Sequence, residues 1–315
     1  MSKQILVLYE LMDDQIEDLK MSAKDYDIIF SIDEAKVDEL EIVLGWWPSE
    51  LDSFLKDESC QLKWVQYPYA GVDELPLKLF EEKEILLTSG SGIHTYAVTE
   101  SAIGLLLGYT RGIVKAAYNK REENWVDEKN LYELNGKTIM ILGTGNIGQH
   151  LAEVAQAFGM KTIGINRSGR EVDNMDKQYV QKDLADVIGK ADIVVNILPA
   201  TKETRHLFNK ELFSKMKKDS IFINVGRGES VDTEALLEAL DSGRLMFAGL
   251  DVFEEEPLPK GHPIWSHEKI VMTPHIAGRV ENYAKHLYPI FMENFEAFSQ
   301  GEELPRNLVS LEEGY

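Results

Sequence analysis

The sequence predicts an α/β protein of two doubly wound parallel-sheet domains with a cleft between them. Three observations carry that expectation. The chain has 315 residues, 44% of them hydrophobic, enough for two separate cores. Short apolar runs alternate with amphipathic or acidic segments, first over the opening ninety residues and again after residue 137, as in sheets covered by helices on both faces. The loops richest in chemistry follow strand candidates, and in such sheets ligands bind beyond the carboxyl ends of the strands.

Bulk properties narrow the function. A formal net charge of −21 argues against a nucleic-acid or anionic-membrane partner. Cys60 is the only cysteine, so an internal disulfide is impossible and an oxidising compartment is not implied. The opening "MSKQILVLYE" has too short an apolar run for a signal peptide and reads as a first strand. No run approaches the ~20 apolar residues of a membrane span. A cytoplasmic protein is expected.

The first series of strand candidates is "QILVLY", "DIIFSI", "EIVLG", "LKWVQY" and "EILLTS", with "MDDQIEDLKM" and "PSELDSFLKD" as helices between them. Residues 98–118, "VTESAIGLLLGYTRGIVKAAY", read as one long helix with Thr99 as its N-cap. "NWVDEKNLYELNGKT" follows as a connector. The second series is "KTIMILG", "KTIGIN", "DIVVNIL", "SIFINVG", "LMFAGLDVF" and "KIVMTPH". In "VDTEALLEALDSG", Asp232 is a good N-cap and Gly243 a good stop, with Ala235, Leu236, Ala239 and Leu240 on one apolar face. The last segment, "VENYAKHLYPIFMENFEAFSQG", reads as a helix that Pro289 would kink. The expected division is 1–95 plus 285–315 against 96–284.

"TIMILGTGNIGQHLAEVAQAFG" places Gly143, Gly145 and Gly148 in a G-x-G-x-x-G pattern. The pattern alone is weak, and an ordinary strand–turn–helix with incidental glycines is the bland alternative. Here it follows an apolar strand and opens an amphipathic helix, the context a dinucleotide fingerprint requires. Gly143 permits the tight turn, Gly145 a close backbone approach to a pyrophosphate, and Gly148 helix–strand packing. The helix N-terminus, at Asn146 and Ile147, adds N–H donors and the positive dipole end. Eighteen residues beyond Gly148, where an acidic ribose ligand is expected, stands Asn166, followed by Arg167, Ser168 and, further on, Arg170. An Asp there would repel a 2′-phosphate; Asn removes the repulsion and Arg167 adds a cation. The turn therefore predicts NADP(H) in preference to NAD(H), the alternative being a solvated turn beside bound NAD.

With "INVGRGESVD", "GLDVFEEEPL" and "TPHIAGR", the glycine loop resembles the D-2-hydroxyacid dehydrogenase family, its glyoxylate/hydroxypyruvate reductase branch in particular. The resemblance runs from "YPYAGVDEL" through "ILPATKETRHLFN" and "HPIWSHEKIVMTPHIAG" to the terminal "EEGY". It implies a flavodoxin-like substrate domain and a Rossmann dinucleotide-binding domain. It also implies hydride transfer between a nicotinamide and a small 2-keto or D-2-hydroxy acid.

The chemistry is coherent with these residues. Arg227, in a glycine-flanked turn after a strand, suits pairing with a carboxylate. His275 suits proton transfer near neutrality, as general acid in reduction and general base in oxidation. The resemblance gives the relay role to Glu256, the acid before the proline in "EEEP". A carboxylate beside an imidazole orients it and favours its protonated form. By the same resemblance, backbone N–H groups near Ala70 and Gly71 hold the substrate carboxylate, and Asp251 meets the nicotinamide carboxamide. Leu198, Pro199 and Thr204 form a wall near the adenosine and phosphates, and Val225, Gly226 and Gly278 join the cofactor set. Trp46, Trp47 and Tyr69 are pocket candidates, though aromatics at strand ends are commonly core. His94 reads as structural rather than substrate-binding. No histidine or cysteine spacing resembles a metal site.

Two other functions fit parts of this pattern. A dinucleotide-sensing corepressor can keep the same three polar residues. A phosphoglycerate dehydrogenase would want extra cations in the first domain, and Lys3, Lys20, Lys24 and Lys56 show no obvious cluster. Apolar surface on the helices at 98–118 and 280–300 predicts a homodimer.

Overall fold

The computed structural model describes residues 3–72, 75–129 and 131–311. Asp73 and Glu74 of "YPYAGVDEL" and the terminal "EEGY" lie outside the described residues. The chain divides into two compact units, with boundaries after Ile93 and before Val280.

The unit built from the segments before and after those boundaries holds five parallel strands. They are β1 (Lys3–Leu8), β2 (Tyr26–Ile29), β3 (Leu40–Gly45), β4 (Trp64–Gln66) and β5 (Leu86–Thr88), in the order β2-β1-β3-β4-β5. Its helices include α1 (Asp13–Ser22), α2 (Asp52–Leu55) and α3 (Leu77–Glu82). Strand residues alternate between two cores, as a sheet buried on both faces requires. Ile5, Val7, Ile42, Leu44 and Trp64 pack with Leu287, Phe291 and Phe295 of the C-terminal helix Tyr283–Gln300. Leu6, Val43 and Val65 pack instead with Leu51, Leu55 and Phe80. The C-terminal helix runs on through Pro289.

The other unit, His94–Arg279, carries seven parallel strands. They are β6 (Thr138–Leu142), β7 (Lys161–Asn166), β8 (Lys177–Val180), β9 (Ile193–Asn196), β10 (Ser220–Asn224), β11 (Leu245–Leu250) and β12 (Ile270–Met272). Their order is β12-β11-β10-β9-β6-β7-β8. The chain winds outward from β6 through β7 to β8, then crosses to β9 on the other side of β6. The end of β6 is therefore the switch point, where doubly wound sheets bind ligands. Helices α4 (Thr95–Thr110), α5 (Ile113–Arg121), α6 (Asn146–Ala157), α7 (Leu184–Val187), α8 (Lys210–Lys215) and α9 (Thr233–Asp241) complete it. Ile139 and Ile141 face Leu105, Leu106 and Leu151, whereas Met140 and Leu142 face the core of Phe208, Phe222 and Leu236.

Several expectations are corrected. The helix expected at 98–118 is two, broken where Gly112 adopts a left-handed φ of 67°. Thr99 does not cap it: the first helix begins four residues earlier, and Thr99 lies buried inside it with Oγ1 unpartnered. The strand expected over "DIIFSI" ends at Ile29, because Ser31 caps a short 3₁₀ turn, accepting from the Asp33 N–H. Strand β8, "KQYV", has no apolar run of an inner strand and was not expected: Lys177 is exposed and the other three are half-buried. Asp232 does cap α9, accepting a hydrogen bond from the Ala235 N–H at 3.0 Å.

Candidate active site

The glycine loop joins β6 to α6 at the switch point. Gly143 has a φ of 99°, and Gly145 is the extended N-cap of α6. A Cβ on Gly148 would lie 2.0 Å from the Gly143 carbonyl oxygen, so only glycine lets the helix start so close to the strand. A Cβ on Gly145 would meet nothing within 4 Å, so that glycine opens space in front of the helix N-terminus. Asn146 and Ile147 open the helix, where the first N–H groups have no helical acceptors.

At the end of β7, Asn166 donates through Nδ2 to Thr144 Oγ1 (2.9 Å) and to the Arg170 carbonyl (2.8 Å). Those bonds tie the "NRSGR" turn to the glycine loop. Its Oδ1 is buried with no partner, an acceptor available to a ribose hydroxyl. The Gln178 amide beside Gly164 is likewise unpartnered. Ser168 Oγ accepts from the Arg170 N–H. Hydrogen bonds to its own backbone N–H and to Thr201 hold the Glu203 carboxyl below its usual range, with smaller help from the charges of Lys202 and Arg167. A glycine-lined helix N-terminus beside an unsatisfied buried acceptor fits a dinucleotide.

Arg227 follows β10 in "VGRG". A Cβ on Gly228 would stand 1.8 Å from the Phe253 carbonyl oxygen, and one on Gly226 2.8 Å from that of Leu198. The two glycines thus let the Arg227 turn sink between the loops that follow β9 and β11. Beneath it lies a buried polar network that sequence reasoning missed. Asn196 Nδ2 donates to Asn224 Oδ1 (2.9 Å) and Ser230 Oγ (2.7 Å). Ser230 Oγ and Asn224 Nδ2 in turn donate to the Arg227 carbonyl, at 2.6 and 3.2 Å. The available signal was an Asn closing each of two apolar strands, "DIVVN" and "SIFIN", which the sheet pairs in register. Val225, buried, continues that ladder to the Asn196 carbonyl. Leu198 is buried, and Thr204 closes its own loop by donating to the Pro199 carbonyl at 2.7 Å.

Of the three acids in "EEEP", Glu256 is the one that meets His275: Oε2 lies 2.6 Å from Nδ1. Its Oε1 accepts from the Phe253 N–H at 2.8 Å, which fixes the carboxylate. Glu254 turns to the N-terminus of α9, accepting from the Thr233 N–H (2.8 Å) and lying 2.7 Å from His206 Nε2. Burial pushes the Glu254 carboxyl up, but the bonds from Thr233 and His206 outweigh it and hold the group below its usual range. Glu255 is exposed.

His275 itself has a left-handed φ of 52°, a conformation costing an L-residue about 1–2 kcal/mol. Asp251, buried at 1% exposure, binds the turn that carries it. Its carbonyl accepts from the His275 N–H, and its carboxylate from Thr273 Oγ1 (2.6 Å) and the N–H groups of Ile276 and Ala277 (both 2.9 Å). The residue expected to face a nicotinamide is thus an organiser of the His275 turn. Gly278 ends that turn, its carbonyl 2.6 Å from His94 Nδ1. Burial, opposed by that bond and seconded by the Arg227 charge, holds the His94 imidazole below its usual range. His94, read as structural from sequence, thus holds the end of the His275 turn and feels the Arg227 charge.

In the five-stranded unit, Ala70 and Gly71 follow β4, exposed and half-exposed respectively. Trp46, after β3, packs edge-on to Tyr69 with centroids 4.6 Å apart, and each is 41% exposed. Trp47 is different: it packs on Phe80 and donates to Asp52 Oδ1 at 2.8 Å, which makes it a core anchor. Among the described residues no group of three or more His, Cys, Asp or Glu is placed to hold a metal, and no helix is long and apolar enough to cross a membrane.

Comparison with known proteins places the chain in a family. Residues 103–277 match the family model "D-isomer specific 2-hydroxyacid dehydrogenase, NAD binding domain". The chain is 36% identical over 269 residues to the glyoxylate reductase of Thermofilum pendens, covering 84% of this chain and 79% of that one. A D-isomer specific 2-hydroxyacid dehydrogenase family protein of Aeromonas salmonicida is 33% identical with a TM-score of 0.84, over 99% of this chain and 100% of that one. The family enzyme of Xanthobacter autotrophicus Py2, solved with NADPH and MES, is 28% identical with a TM-score of 0.82 over the full length of both. The chain belongs to the D-isomer-specific 2-hydroxyacid dehydrogenases and is an NAD(P)(H)-dependent oxidoreductase of small keto or hydroxy acids.

Proposed function

We propose that this protein reduces a small 2-keto acid, of the glyoxylate or hydroxypyruvate type, with NADPH preferred over NADH. The observation that carries the reading is the 2.6 Å pairing of His275 with Glu256 on a turn organised by Asp251. Arg227 pairs with the substrate carboxylate and polarises the keto oxygen, with backbone N–H groups at Ala70 and Gly71 as further donors. His275 delivers a proton from Nε2 to that oxygen, while Glu256 holds Nδ1 and stabilises the imidazolium. The nicotinamide, when bound, supplies the hydride. Gly143, Gly145, Asn146, Ile147 and Gly148 would hold the dinucleotide's pyrophosphate, and Asn166, Arg167 and Ser168 its adenosine ribose and 2′-phosphate. Pro199, Thr204, Val225, Gly226, Asp251 and Gly278 line the remainder. NADPH in the Xanthobacter relative supports the cofactor preference, and the name of the Thermofilum relative supports the substrate class.

The test is a panel of glyoxylate, hydroxypyruvate, pyruvate and 3-phosphohydroxypyruvate, each with NADPH and NADH. Turnover of an unphosphorylated keto acid with NADPH is expected. A preference for the phosphorylated acid, or equal efficiency with NADH, overturns the corresponding half of the reading. His275→Ala should lose most turnover, roughly 100-fold or more, while keeping cofactor affinity.

The protein is further read as a cytoplasmic homodimer with no nucleic-acid or membrane partner. Ile113, Tyr118 and Trp125, exposed on α5 and the connector, support the dimer, and the acidic charge supports the rest. A monomeric mass in solution overturns it.

A further inference from the structure

We propose that His94 is a positioning residue for the catalytic turn, its Nδ1–H holding the Gly278 carbonyl and with it the conformation that presents His275. The inference rests on the reading of His275 as proton donor and adds a residue on which that donor depends.

The turn from Thr273 to Gly278 is held from two directions. Asp251 binds its first part, through Thr273, His275, Ile276 and Ala277. Nothing in that set reaches Gly278. The far end is bound from α4 and its N-cap: Ser101 Oγ, two turns in, donates to the Ala277 carbonyl at 3.4 Å, and His94 Nδ1 meets the Gly278 carbonyl at 2.6 Å. The His94 bond is much the shorter of the two. A turn carrying a non-glycine residue at φ 52° relaxes unless both ends are fixed.

The chemistry of the bond defines the ring. A carbonyl oxygen only accepts, so the proton of the neutral imidazole sits on Nδ1. Burial and the Arg227 charge both favour that neutral ring. His94 also stands at the N-cap of α4, where a Ser, Thr, Asp or Asn would bond the free N–H groups of the helix. It makes no such side-chain bond. Its side chain reaches instead to a carbonyl 184 residues away in sequence.

The variants H94A, H94N, H94Q and H275N separate the possibilities. An Asn places an amide nitrogen where Nδ1 stands, whereas a Gln places it one carbon further out. H94A is expected to lower kcat roughly 10- to 100-fold, as a misplaced catalytic group does. H94N should recover kcat to within a few-fold, and H94Q should not. If H94A does not fold, the H94N and H94Q pair decides by the same rule. Wild-type kcat in H94A, or an H94N as impaired as H94A, overturns the proposal. Nitrogen-15 NMR of histidine-labelled wild type, with His94 assigned by its loss in H94N, should show a protonated Nδ1 and a bare Nε2. The opposite tautomer also overturns it. Wild-type turnover in H275N would instead overturn the reading of His275, whereas an inactive H275N beside a normal H94A would overturn this inference alone.

Discussion

Replacing Gly148 with Ala tests the packing of the phosphate loop. The added Cβ would lie 2.0 Å from the Gly143 carbonyl oxygen and 3.0 Å from its carbon, and both are backbone atoms that cannot rotate away. An ordinary C···O contact is about 3.3 Å, so turn and helix must part by roughly 1.3 Å. Overpacking of that kind destabilises by about 1–3 kcal/mol, which lowers Tm by about 2–12 °C for a unit of this size. The same displacement carries the first N–H groups of α6 away from a bound pyrophosphate. One lost charge-assisted hydrogen bond contributes about 1.5–3 kcal/mol, or roughly 10- to 150-fold in Kd. Gly145→Ala is the control, since its Cβ meets nothing within 4 Å and its φ of −76° suits any residue. It should lower Tm only slightly, through the poorer helix cap, and weaken NADPH by occupying the ligand's approach. Thermal melts with and without NADPH, and fluorescence titration of the cofactor, read both quantities. Wild-type Tm and Kd in G148A would refute the packing reasoning, and wild-type Kd in G145A would refute the backbone approach.

Other outcomes follow from the same geometry. Arg167→Ala should weaken NADPH roughly 10- to 100-fold and leave NADH nearly unchanged, whereas Glu203→Gln, which removes an acid near Arg167, should modestly tighten NADPH; titration of both cofactors checks the pair. Glu256→Gln should lower kcat by roughly 100-fold with little change in Tm, measured by steady-state kinetics. Glu254 has a depressed folded-state carboxyl, so its contribution to stability is complete above the ordinary Glu range and fades as pH falls through the lower folded value. Denaturation between pH 3 and 6 should therefore show a shallower acid slope in Glu254→Gln than in wild type. Phe222→Ala, in the core of the seven-stranded unit, should destabilise by about 3–5 kcal/mol in a denaturant melt.

The sequence by itself determined the strand series, the glycine loop at a strand end and the Asp232 cap. Each is written in local periodicity or local backbone demand, which neighbouring residues alone report. It also supplied Arg227, Glu256 and His275 as candidates, through motifs read against a family resemblance. Local pattern failed where one residue's backbone overrode an apolar run and where a distant pairing made a strand. Gly112 breaks a helix whose apolar run continues past it, and strand β8 is held by pairing with β7 rather than by an apolar run of its own. Only the tertiary structure sent Glu254 of "EEEP" to His206 and to the N-terminus of α9. It alone turned Asp251 and His94 into the two holders of one turn, and placed Asn196 and Asn224 under Arg227. The reason is physical: a polar side chain finds its partner in three dimensions, and its partner here lies from about twenty to nearly two hundred residues away along the chain.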